Sequence, residues 1–180
     1  MSGSGHAEHP ERAIELMGAL DAYRPARQAL LATLGLSASN RDPLAEFSEQ
    51  LVHALLGGLL AQSRVQAGHD LVQVDGRKVQ VRYLANPSSG PWVNEHRVHR
   101  IPGVELYALV LFAAFDVVGV MAFWLDRLAE VCAALRKRHP DQHDQLQLTR
   151  RNWQAIRDDP LTFEALGVRV RLPPFATLER

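Results

Sequence analysis

The chain has 180 residues, 47% of them hydrophobic, with Lys plus Arg and Asp plus Glu both numbering 20 and a formal net charge of zero at pH 7. That length supports one sizeable core and argues against two full domains, and the charge balance excludes a global basic field, so any contact with nucleic acid must come from a local patch. The lone cysteine, Cys132, excludes an internal disulfide framework and a multi-cysteine zinc site, fits a reducing cytoplasm, and is expected in the core.

The opening MSGSGHAEHPER has no basic run followed by an apolar one and does not read as a secretory signal. Ile14, Met17 and Leu20 then recur at helical spacing within Pro10 to Tyr23, and Arg27 to Leu34 resumes the period after an expected break at Pro25. Residues 1–41 are thus expected to form a helical extension ending in the linker SASNR, Ser37 to Arg41, ahead of a main domain over 42–180. Asp42 can cap a second helix with Pro43 at its first position, where the missing N–H costs nothing. That helix should reach about Leu56, with Gly57-Gly58 as its stop and an apolar stripe of Leu44, Phe47, Leu51 and Leu55. Glu46, Glu49 and His53 share one side of it, and Glu49, beside Val52 and Leu56, points partly inward.

Two strand-like runs follow, Asp70 to Val74 and Arg77 to Leu84, joined through the hairpin signal Asp75-Gly76. A one-residue slip moves every side chain to the other face, so register decides what the hairpin can do. A three-residue loop of Val74, Asp75 and Gly76 pairs Gln73 with Arg77, sets Asp70 opposite Gln80, and gathers Asp70, Lys78, Gln80 and Arg82 on one face behind an apolar row of Leu71, Val79, Val81 and Tyr83. A two-residue turn would instead oppose Asp70 to Val81 and scatter the polar group. The apolar pattern favours the first.

Asn86 to Arg100 reads as a long polar loop, with Trp92, His96, Arg97, His99 and Arg100 as a local cationic patch suited to phosphate or a stacked base. Glu105 to Ala114 and Val117 to Leu125 are apolar on both faces and are expected as central strands of a covered sheet rather than a membrane span, turning near Phe115-Asp116. Asp126 can cap a helix to about Arg138, Thr149 another over Arg150 to Arg157, and Val168 to Pro174 reads as an edge strand. The fold expected is α/β, a central mixed β-sheet flanked by helices.

Asp70 and Glu49 are hard oxygen ligands suited to Mg²⁺ or Mn²⁺, with the Gln80 side-chain oxygen as a neutral third. The other reading of the same residues is a strand start, a solvated sheet face and a surface helix residue. The pairs His96/His99 and His139/His143 lack a strong third zinc ligand nearby, and the chain has neither a P-loop nor a nucleophile elbow.

The run from Phe47 to Arg82, FSEQLVHALLGG followed by GHDLVQVDGRKVQVR, resembles the core of the PD-(D/E)XK, or restriction-endonuclease-like, nucleases. In that family a helix glutamate and a strand aspartate precede an acidic or Gln residue and a Lys two positions apart. The resemblance implies a restriction-endonuclease-like core in which Glu49, Asp70 and Gln80 hold Mg²⁺ and Arg82 takes the lysine position. It implies a DNA endonuclease, plausible in restriction or phage defence, working in the cytoplasm away from membranes, with a homodimer natural for cutting two strands. Lys78, Trp92, Arg97 and Arg100 would contact DNA. Arg82 departs from the pattern, because a guanidinium stays charged and only donates hydrogen bonds, whereas a lysine can give up its proton. Lys78 and His69 are possible stand-ins, and the alternative is a catalytically impaired nuclease fold kept as a DNA-binding or assembly module.

Overall fold

The computed structural model describes residues 10–36, 42–61, 68–86, 96–137, 139 and 145–175. The chain divides into two compact units, Met1–Glu46 and Phe47–Arg180, a boundary that falls inside a helix rather than at the 41/42 linker. Residues 37–41, read as that linker, lie outside the described residues.

In the first unit, α1 (Pro10–Thr33) is one helix with Pro25 inside it, where the sequence predicts a break. Proline deletes one hydrogen bond, to the carbonyl of residue 21, and crowds that carbonyl. The middle of α1 is exposed, so water can take the freed acceptor. The periodic Ile14, Met17 and Leu20 are exposed too, not buried as their spacing would imply. The helix stops where Gly35 turns left-handed at φ 71°, with Leu36 N–H reaching back to the Leu31 carbonyl at 2.8 Å.

Helix α2 (Pro43–Leu56) begins and ends as expected: Asp42 Oδ1 accepts from Leu44 N–H at 2.9 Å, and Gly57, at φ 72°, donates to the His53 carbonyl at 2.8 Å. Its buried residues, however, are Glu46, Ser48, Glu49 and Val52, while Leu44, Phe47, Leu51 and Leu55 are only half-buried. The inward direction is rotated from the apolar stripe towards Glu49.

The second unit is built on a six-stranded sheet of β1 (Leu59–Leu60), β2 (Leu71–Val72), β3 (Lys78–Asn86), β5 (Leu106–Ala113), β6 (Asp116–Trp124) and β8 (Val168–Arg171), side by side in that order. Only β3 and β5 run parallel, and every other pair is antiparallel. The architecture is therefore α/β with a mixed sheet and flanking helices. β5 is buried along nearly its whole length, as a central strand covered on both faces must be.

One sheet face carries Tyr107, Leu109, Leu111, Met121 and Phe123, and closes over Leu128, Val131 and Cys132 of α3 (Leu128–Ala134) and Trp153 and Ile156 of α4 (Arg150–Asp158). A small antiparallel ribbon, β4 (His96–Val98) with β7 (Leu146–Leu148), packs into the same core through Val98, Leu146 and Leu148. The opposite face takes Phe47 of α2, whose ring lies 6.1 Å from Phe112.

Several local expectations change here. The stretch read as loop from Asn86 to Arg100 holds β4, because a three-residue strand shows too little alternation to be seen. Asp126 does not cap: a single 3-10 turn (Leu125–Arg127) precedes α3, which starts behind Arg127 and ends by Leu135, short of Arg138. Thr149 does cap α4, in a reciprocal box with Asn152, and α5 (Pro160–Ala165) follows directly.

Candidate functional site

The hairpin takes the three-residue loop. Leu71 pairs with Val79 and Val72 with Lys78, Gln73 N–H donates to the Arg77 carbonyl at 2.8 Å, and Gly76 turns left-handed at φ 85°. In this register Asp70, Gln80 and Arg82 meet on one face.

Asp70 is 6% exposed and Gln80 likewise 6%. The Asp70 main chain is already part of the sheet, its N–H donating to the Val79 carbonyl and its carbonyl accepting from Ala61 N–H, each at 2.9 Å. Its side chain continues the ladder where β2 is too short to do so: Oδ2 accepts from Val81 N–H at 2.7 Å. The same oxygen accepts from the Gln80 amide nitrogen, and Arg82 Nη1 stands 3.6 Å away. Arg82 also donates to the Val81 carbonyl at 2.8 Å, yet half of its side chain (52%) remains exposed, leaving N–H groups directed at solvent. A buried, oriented carboxylate beside an accessible guanidinium can both hold a cation and receive an anion.

Glu49 sits buried on α2, whose Phe47 packs on the other sheet face. Lys78 and Arg97 are exposed; Lys78 N–H donates to Glu105 Oε2 at 2.8 Å, and Arg97 lies opposite Gln147 on the ribbon. Arg100 reaches the Asp126 carbonyl at 3.4 Å and lines a recess of about 570 Å³ with Arg77, Glu105 and Trp124, the Arg77 guanidinium lying 4.7 Å from the Trp124 ring centre. Trp92 lies outside the described residues.

Two further residues, His96 and Tyr107, join the cluster. His96, expected in the loop patch, places Nε2 2.6 Å from the hydroxyl of Tyr107, a residue of an otherwise apolar strand. The signal was present: Tyr107 is the one residue of LYALVLFA with a polar atom in its side chain, and it pairs with Gln80 in the parallel ladder. Burial, with a contribution from the Asp70 charge and against that of Arg82, pushes the Tyr107 phenol up to about 12. Burial first, then the charges of Arg82 and His99, holds the His96 imidazole below its usual value of 6.5.

Asp70 offers a carboxylate and Gln80 an amide, and Mg²⁺ commonly makes do with one or two protein oxygens, completing its shell with water and substrate phosphate. The Gln80 amide turns its nitrogen towards Asp70, and a half-turn about its last torsion would present the oxygen instead. The pair therefore fits one side of such a site. Among the described residues, no three His, Cys, Asp or Glu side chains gather as a metal cluster.

No protein-family model and no curated protein matches this chain. None of the described helices is long and apolar enough to cross a membrane.

Proposed function

We propose that the chain is a Mg²⁺- or Mn²⁺-dependent DNA endonuclease of the restriction-endonuclease-like kind, acting in the cytoplasm in restriction or phage defence. The observation that supports it is the convergence of buried Asp70 and Gln80 with half-exposed Arg82 on one sheet face. Asp70 and Gln80 would hold the ion, whose chemistry there is to stabilise phosphoryl charge and ease ionisation of water, and Glu49, on the helix that packs against the opposite sheet face, is left out of that set. The protein groups do the positioning. Val81 N–H fixes the Asp70 carboxylate, and the outward N–H groups of Arg82 hold a phosphate oxygen of the strand to be cut. Lys78, Arg97 and Arg100 would then contact the DNA backbone, and pairing of two copies would allow both strands to be cut.

A second reading is favoured by one specific contact. The Arg82 guanidinium leans on Asp70 Oδ2 and thus places a fixed positive charge beside the oxygen a metal would use. On that reading the domain binds DNA or assembles with a partner without cutting.

Nicking of supercoiled plasmid with Mg²⁺ or Mn²⁺ separates the two, comparing wild type, Asp70→Ala and Arg82→Lys. Cleavage by wild type that Asp70→Ala abolishes supports the enzyme. Activity that appears only in Arg82→Lys supports a site closed by arginine. Absence of both cleavage and calorimetric ion binding in all three proteins rules the enzyme out.

A further inference from the structure

The polar cluster does not end at Arg82. On the same sheet face Tyr107 is 2% exposed, and its ring meets those of His96 and His99 at 5.7 and 6.2 Å. The Tyr107 hydroxyl and His96 Nε2 share one hydrogen bond of 2.6 Å, and a relay along it requires Tyr107 to donate to a neutral imidazole whose own proton sits on Nδ1. Among the described residues, the titratable groups facing His96 are Arg82 from β3, Tyr107 from β5 and His99 from its own segment; β7 sets Leu148 opposite it. Arg82, which stands where a lysine would serve, cannot accept a proton. A hydrolytic site of this composition needs an acceptor elsewhere.

Resting on the nuclease reading above, we infer that Tyr107 and His96 form the proton-accepting arm of the site. As a water oxygen bonds to the phosphorus of a phosphodiester held by Arg82, Tyr107 Oη takes the water proton while its own passes to His96 Nε2. The bond from phosphorus to the leaving sugar oxygen breaks, that oxygen takes a proton from solvent, and His96 returns its extra proton to solvent. Protons balance and nothing is oxidised or reduced. The hydrogen-bonded pair thus does by relay what a single lysine would do directly.

The test is a rate profile for plasmid nicking from about pH 5 to about pH 8.5 with wild type, Asp70→Ala, Arg82→Lys, His96→Gln and Tyr107→Phe. Alongside it, ¹⁵N imidazole spectra report which His96 nitrogen is protonated, and circular dichroism checks that each variant folds. Wild type should lose rate as pH falls through the lowered His96 value, while His96→Gln should lose that acid limb and run about 100-fold slower. Tyr107→Phe, nearly isosteric, should slow similarly and shift the Nε2 resonance. A His96→Gln protein that keeps the wild-type rate and profile, with Asp70→Ala inactive, overturns the relay and leaves the nuclease reading standing. Failure of both wild type and Arg82→Lys to cleave overturns the two together. A proton on Nε2 at neutral pH overturns the relay whatever the cleavage result.

Discussion

Asp70 is a structural residue as well as a candidate ligand, and its substitution separates the two roles. Asp70→Ala leaves the Val81 N–H and the Gln80 amide without their buried acceptor, which costs about 1–3 kcal/mol for each group left unsatisfied. Asp70→Asn keeps an acceptor, so chemical denaturation should find it closer to wild type than Asp70→Ala. A purely solvent-facing Asp70 would make the two variants equally stable. His96 bears on stability through pH. Its folded value is lowered, so below 6.5 the unfolded chain binds the proton more readily; the contribution is full above 6.5 and is lost as pH falls through the folded value. His96→Gln should therefore flatten the acid side of a stability-against-pH curve. Tyr107 has the opposite sign: its contribution is full below the unfolded value of 10.0 and fades as pH rises towards about 12.

Elements tell a similar story of local rules and tertiary exceptions. The turn between β5 and β6 is made by Ala114 and Phe115 at φ 50° and 65°, left-handed backbone that neither residue favours. Replacing the pair with Asn-Gly should raise stability by about 1 kcal/mol, read from the denaturation midpoint. Gly119 is required for a different reason: a Cβ there would overlap the Trp153 ring, so Gly119→Ala should destabilise by about 1–3 kcal/mol and disturb the near-ultraviolet tryptophan signal. What the chain spells out locally was legible: the Asp42 and Thr149 caps, the Gly76 loop that sets the hairpin register, and the long apolar run of β5 broken only by the Tyr107 hydroxyl. What depends on distant partners was not. β4 and β7 are each three residues long and define one another by pairing, and Pro25 sits in a helix whose exposure tolerates the missing bond. Likewise Asp70, Gln80 and Arg82 followed from register, whereas His96 reaches Tyr107 only because the β4–β7 ribbon packs onto that face.

At the scale of the whole molecule, a net charge of zero limits how DNA can be held. If Lys78, Arg82, Arg97 and Arg100 supply the phosphate contacts, the slope of log affinity against log salt should be no steeper than about −4. A slope near −8 in anisotropy titrations would mean that other surfaces carry the binding. All four are exposed and lie in the second unit, on β3, on the ribbon and at the recess, so on that reading the footprint would fall on that unit.

The short reach of β2 gives the site a built-in reporter. Because the Asp70 carboxylate occupies the place of a missing strand carbonyl, the Val81 amide is shielded from solvent by a side chain that can move, not by a fixed backbone partner. Hydrogen exchange at that one amide should quicken when Asp70 is drawn towards a bound cation and slow again when the cation is chelated, making occupancy visible in the protein alone, with no nucleic acid and no turnover.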